Sequence, residues 1–361
     1  WAKTAKTAGP AIILVGFSEE NIGHVIDLAK RAGITRIYSR SAFKTWGHWQ
    51  LKPEQFPNGR AGLKRCVELA AKEGIEIGLH YLCFISVSKT HHYACDTDPY
   101  VSSGDARLAT LGRSTLREAV DAAASTIPIA EPDYFRKQTR MNTVRMGSEL
   151  IHYQSVSDEA PWTLQGCRRG AWGSKAAAHA QGAEVAKLLD HSWNCFLPNP
   201  ELAVEMARNM AELCNETGIT QVGHDGLEGM ACTGLGQYGR AAYITAWYDS
   251  LKPALKGRIW NEASNAAPFN WHANTHFSWG ECEGYSRSSS MSQYRASQQA
   301  FFVRNYLPRH LGFYVTKSRD TAADAEFMLA QSAGFDAGFC IELGNYMHGN
   351  NLDLLLDTVG I

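Results

Sequence analysis

The chain has 361 residues, enough for two or three domains at about 150 residues each, or for one α/β barrel of about 250 residues plus an extra piece. Apolar residues make up 45% and charged residues 20%, which excludes a disordered or collagen-like chain and leaves material for a large core. The 35 basic and 36 acidic residues cancel to −1, so no basic excess points to nucleic acid and no polybasic run points to a membrane surface.

The first predicted strand is Ala11–Phe17, an unbroken apolar run suited to burial on both faces and far too short to span a bilayer. Ser18 caps a helix with an apolar face of Ile22, Val25, Ile26 and Ala29, ending at Gly33. The second strand is Ile34–Ser39. A loop with Trp46 and Trp49 then leads to a helix from about Arg60 to Glu73, and the third strand is Ile75–Phe84. The alternation stops there and resumes after residue 190. Asn199 and Pro200 open a helix to Gly218, followed by strand four at Thr220–His224 and a helix at Gly239–Leu251. Strand five is Arg258–Glu262 and strand six roughly Trp271–Phe277. A helix over Ser292–Tyr306 precedes strand seven at Gly312–Thr316. A helix over Thr321–Ala333 precedes strand eight at Ala337–Glu342, and a short helix covers Leu352–Thr358.

Eight strands, nearly all followed by helices, predict a closed (β/α)8 barrel rather than an open doubly wound sheet. No G-x-G-x-x-G follows the first strand, which weakens a dinucleotide-binding alternative. Residues 1–102 and 188–361 are assigned to the barrel and 103–187 to an inserted β-module. There Gly147-x-Glu149-Leu150-Ile151-x-Tyr153 precedes Gly166-Cys167-x-Arg169-Gly170 and His179, among short strands and glycine turns. The insert reads either as a spacer or as a wall of a cleft. Nine Cys without a C-x-x-C pair argue against a cysteine zinc site and a complete disulfide framework. The start at Trp1 reads as an excised or processed piece, whose compartment carries no targeting signal to read.

Active sites of such barrels lie at the carboxyl ends of the strands. Those ends carry Arg40, Lys44, Trp46 and Trp49; His80; Asp225 and Glu228; Glu262; His272, His276, Trp279 and Glu281; Tyr314; and Glu342 and Tyr346. Asp225 is the sharpest of them, a carboxylate beside glycines that let a substrate approach the backbone. Glu228, Glu262 and Glu281 could supply the second carboxylate that glycoside hydrolysis needs. The His91/His92 and Asp96/Asp98 group could take a divalent cation, but its spacing is not rigid, so no metal ligand is assigned.

Residues 46–80 contain Gly47, Trp49, Phe56-Pro57, Gly59, Glu73-Gly74 and Gly78. In this order they resemble the second and third barrel units of the melibiase-type α-galactosidase clan. That resemblance implies a nucleophilic Asp at the end of strand four, the place of Asp225. The chain departs from the clan after strand two, where Tyr38-Ser39-Arg40 stands in place of paired acids, and near strand six, where the clan's acid/base segment is missing. The whole chain also looks similar to barrel proteins of polysaccharide-utilising bacteria and to barrel-fold polysaccharide lyases acting on glycosaminoglycan-like substrates.

Arginine, histidine and tyrosine at the rim suit an acidic sugar cut by β-elimination, which needs a neutralised carboxylate, a base and an acid. The reading is therefore a carbohydrate-active enzyme that cleaves polysaccharide glycosidic bonds, with a lyase preferred on a uronate-containing glycan, sulfated or not, such as a glycosaminoglycan. The catalytic candidates are Asp225, Glu262, His80, His272, Tyr314 and Tyr346. The substrate-binding candidates are Arg40, Trp46, Trp49, Glu228, His276, Trp279, Glu281 and Glu342. The alternatives are a retaining hydrolase using Asp225 as nucleophile, with Glu262 or Glu281 as acid/base, and a catalytically silent sugar-binding barrel. The partner expected is an oligo- or polysaccharide, with no nucleic acid and no membrane span. A substrate of that class implies an extracellular or periplasmic location.

Overall fold

The computed structural model describes residues 10–87, 94–191, 193–263, 274–278, 289–304, 308–317, 320–343 and 350–360. Eight parallel strands close a barrel: β1 (Ala11–Leu14), β2 (Arg36–Ser39), β3 (Glu76–Leu82), β4 (Gln221–Asp225), β5 (Trp260–Ala263), β6 (His276–Ser278), β7 (Arg309–Val315) and β8 (Gly338–Glu342). Each pairs with its neighbours in sequence, and β8 closes on β1 through Ala11 opposite Phe339 and Leu14 opposite Glu342. The helices of ten or more residues among the described residues are α1 (Ile22–Arg31), α2 (Gly59–Lys72), α3 (Pro200–Thr217), α4 (Tyr238–Ser250), α5 (Ser289–Arg304), α6 (Ala322–Gly334) and α7 (Asn350–Val359). None is long and apolar enough to cross a membrane.

Local signals explain the boundaries. Asn199 Oδ1 accepts the Leu202 amide at 2.9 Å to start α3, and Gly218 ends it with φ 75°. Ile22, Val25, Ile26 and Ala29 form the buried stripe of α1.

Alternation along the strands separates two layers of side chains. Ile13, Ile37, Ile77, Val222 and Ile341 point outward into the main core, against the helices. Ile12, Leu14, Tyr38 and Cys340 fill the barrel interior, with Phe313 packed against them. The interior is a packed core below and a polar site above.

After β3 the chain builds small antiparallel sheets. One orders Thr110–Thr115, Glu184–Leu188, Thr143–Met146 and Glu149–His152; another orders Ile127–Pro128, Thr163–Gln165 and Ser155–Val156. They enclose their own apolar cluster of Leu116, Ile127, Phe135, Val144, Ile151, Leu164 and neighbours. Beside it Glu149 is fully buried. It accepts hydrogen bonds from Arg169 at 2.7 and 2.8 Å and from the Gly170 and Ala177 amides, and contacts His179 Nε2 at 2.7 Å. Burial alone would raise the Glu149 carboxyl, but these partners win and hold it below the usual range. The Glu149, Arg169 and His179 of the sequence pattern are thus one ionic knot that ties the insert together.

Candidate active site

At the carboxyl end of β4, Asp225 has a side chain 21% exposed. Its Oδ1 accepts the Gly226 amide at 2.8 Å, and its Oδ2 lies 3.4 Å from His80 Nε2. The other ring nitrogen of His80 is 3.0 Å from the Tyr38 hydroxyl. Both contacts are satisfied when Nδ1 accepts from Tyr38 and Nε2 carries the proton toward the carboxylate. The third strand of this meeting has no side chain: a Cβ on Gly223 would lie 1.8 Å from the Tyr38 oxygen and 2.8 Å from His80 Nδ1. Glycine at this position makes the Tyr38–His80–Asp225 chain sterically possible. Glu228 follows, half-buried, on the short helix Leu227–Cys232. Burial, with Asp225 and then Glu228 close by, pushes the Cys83 thiol well up.

Across the rim, the Arg40 guanidinium after β2 is ion-paired with Glu342 at the end of β8. Glu342 is buried, and its Oε2 has no hydrogen-bond partner among the described residues. Burial raises its carboxyl above the ordinary value, against the opposing pull of Arg40 and His80.

One layer deeper, Glu262 of β5 contacts two imidazoles through a single oxygen, with His276 Nε2 3.0 Å and His310 Nε2 3.2 Å from Oε2. All three are buried. The register puts Glu262 opposite Gly223 and His276, two residues below Asp225 along the barrel. His310 reaches this layer through an irregularity in β7. Gly312 adopts φ 83° and the register shifts between His310 and Phe313. Both His310 and Phe313 then face the interior, three residues apart instead of two.

Several sequence candidates lie elsewhere. Trp46 and Trp49, expected to stack on sugar, are each 1% exposed and pack edge-to-face with Phe43; Trp49 Nε1 donates to the Met206 carbonyl at 2.9 Å. They are core residues because the loop folds back under α3. Tyr314, expected as an acid, belongs to the helix-facing core with Ile13 and Ile341, since the β7 irregularity turns Phe313 rather than Tyr314 inward. Glu262 and His276, expected at the rim, are enclosed with each other below it. Asp98 accepts the His48 and Tyr100 amides and contacts His48 Nδ1 at 2.7 Å, so its oxygens cap the helix Pro99–Ser102 rather than await a cation. Asp96 stands 4.0 Å from Lys44. His91, His92, His272, Trp279, Glu281 and Tyr346 lie outside the described residues. The structure therefore joins Asp225 to His80 and Arg40 to Glu342 at the same end of the barrel, with Glu228 three residues after Asp225.

Two contributors escaped the sequence reading. Tyr38 was assigned no role, although the small residue at 223 opposite it was a signal. His310 fell outside the expected strand seven, because Gly312 reads as a strand start.

A comparison with protein-family models finds no match, and neither does a comparison with curated proteins. Solved structures do match. A GH31 alpha-xylosidase from a soil metagenome, complexed with xylose, aligns with TM-score 0.53 and 10% identity over 93% of this chain and 42% of its own. A GH31 dextranase from Flavobacterium johnsoniae, complexed with glucose, aligns with TM-score 0.52 and 11% identity over 98% of this chain and 38% of its own. A family GH13_31 enzyme aligns with TM-score 0.52 and 8% identity over 99% of this chain and 75% of its own. The chain spans less than half the length of the first two. At these identities the likeness is one of fold: a (β/α)8 barrel.

Proposed function

We propose that the chain hydrolyses glycosidic bonds of an oligo- or polysaccharide at the carboxyl end of the barrel. Asp225 is the nucleophile and Glu342 the proton donor. The observation that carries this reading is the Asp225 carboxylate, partly exposed at the end of β4 and oriented by His80 and the Gly226 amide. Barrel enzymes place their chemistry at this face. Support also comes from the similar barrels of an alpha-xylosidase and a dextranase, both enzymes of glycosidic bonds.

The steps follow from the residues. Asp225 attacks the anomeric carbon while the Glu342 carboxyl, which burial makes hold its proton more tightly than usual, gives that proton to the leaving oxygen. Arg40 then steadies the Glu342 carboxylate that results. Glu342 next takes a proton from the water that releases the sugar from Asp225.

β-Elimination has weaker support. It would keep His80 as base, but of its two candidate acids Tyr314 lies in the outer core and Tyr346 outside the described residues, and Arg40 is already paired with Glu342 rather than open to a uronate. The test is incubation with a panel of neutral and uronate-containing polysaccharides, read for reducing ends and for the ultraviolet absorbance of an unsaturated uronate. Hydrolysis gives reducing ends without new absorbance. Absorbance rising with the reducing ends would establish the lyase instead, and binding without any product would leave a sugar-binding barrel.

A further inference from the structure

We propose that Glu262, His276 and His310 bind one divalent transition-metal ion of the Zn²⁺ class inside the barrel, beneath the rim. The inference is independent of which sugar is cut or how.

The donor set comes first. Two imidazoles and one carboxylate suit Zn²⁺ and its first-row neighbours, and leave a position for water. The candidate ligand atoms all lie within 4.8 Å of one another. Separations of 3.0 and 3.2 Å between Glu262 Oε2 and the two Nε2 atoms are close to what a shared ion imposes. With bonds of about 2.1 Å, they correspond to angles of roughly 90–100° at the metal. The three side chains would need only small shifts to accept it.

The outer hydrogen bonds accommodate bare Nε2 atoms. The Thr275 hydroxyl accepts the Asn261 amide at 2.9 Å and lies 3.3 Å from both the Asn261 carbonyl and His276 Nδ1. When its proton goes to the carbonyl, it offers His276 Nδ1–H a lone pair and leaves Nε2 bare for an ion. His310 Nδ1 lies 3.2 Å from both the Gly312 carbonyl oxygen, which can take its proton, and the Gly312 amide, which can donate to it, so the ring can present a bare Nε2 to an ion.

The site also joins neighbouring strands. Glu262 pairs with His276 between β5 and β6, and Ser278 with His310 between β6 and β7. An ion held by one residue from each of β5, β6 and β7 would cross-link these three strands.

The experiment is titration of chelator-stripped, tag-free protein with Co²⁺, followed by visible absorption, with Zn²⁺ as competitor and the melting temperature recorded throughout. The expected result is one equivalent of Co²⁺ with a saturable d–d spectrum that Zn²⁺ abolishes, and a higher Tm with metal. Glu262→Gln should weaken Co²⁺ binding at least a hundredfold. Stripped wild-type protein that gives no saturable spectrum, or an unmoved Tm at saturating metal, would overturn the proposal and leave a metal-free hydrogen-bond network. So would a folded Glu262→Gln protein that binds like the wild type. If that variant does not fold, the wild-type spectrum and Tm decide.

Discussion

Arg40 and Glu342, from opposite ends of the sequence, close on each other across the seam where β8 meets β1 and β2. The pair joins a permanently charged group to a carboxyl that burial pushes toward its neutral form. Their balance sets the protonation of the group that must give a proton to the leaving sugar oxygen.

This gives a pH prediction with a definite sign. Glu342 works in its protonated form, so kcat/KM falls as pH rises through its raised value. Arg40→Gln removes a charge that lowers this carboxyl, and the alkaline limb should move to higher pH. Glu342→Gln should flatten that limb and cut kcat at least about a hundredfold, the usual worth of a positioned acid. An unmoved limb in Arg40→Gln, measured over the full pH–rate profile, would assign the limb to another group.

The loop tryptophans separate stability from binding. Trp49 is enclosed by Phe43, Trp46 and Tyr81 and donates to the Met206 carbonyl. Trp49→Ala should cost about 3–5 kcal/mol in urea unfolding. A protein of unchanged stability and lost sugar affinity would return Trp49 to the substrate.

How far the sequence speaks is visible in this loop and in β7. The strand–helix alternation needs only apolar periodicity and caps, and it located all eight strands and the barrel. Asp225 and His80 were legible because Asp225 ends its strand and His80 lies two residues from the end of its own, both in plain parity. Trp49 was not, because a buried ring and a sugar-stacking ring have the same sequence. Glu262 and His276 showed their strands but not their depth, which depends on the stagger between neighbouring strands. His310 was hidden by the Gly312 irregularity, which breaks the period of two that sequence parity assumes.

Acid stability should trace to His224. Burial, reinforced by nearby His80, lowers its ring to about 3 from an ordinary 6.5. The ring contacts the Tyr81 hydroxyl and lies edge-on to Trp247 at 4.7 Å. Between pH 6.5 and 3 the unfolded chain takes up this proton and the folded one does not, so stability falls as pH falls, by up to about 1.4 kcal/mol per unit. His224→Gln should show a shallower loss across this window in urea melts. Parallel curves would place the acid sensitivity elsewhere.

Within the insert, Lys187 is fully buried, and burial brings its ammonium down to about 8. It donates to Asn142 at 3.1 Å and to the Tyr153 hydroxyl, which keeps its own bond to the Phe135 carbonyl. The charge costs more stability as pH falls from the unfolded value of 10.5 toward 8. Lys187→Met should therefore leave Tm at pH 7 unchanged or raised. A fall of many degrees would mean that the lysine's hydrogen bonds outweigh its desolvation.

The central claim is that Asp225 does the chemistry. The most direct measurement is turnover of Asp225→Asn on a polysaccharide that the wild type cleaves, with folding checked by circular dichroism and Tm. The expected result is an intact barrel and a loss of at least about a thousandfold in kcat, as for removal of a nucleophile. A folded Asp225→Asn protein that releases reducing ends within tenfold of the wild-type rate would contradict it.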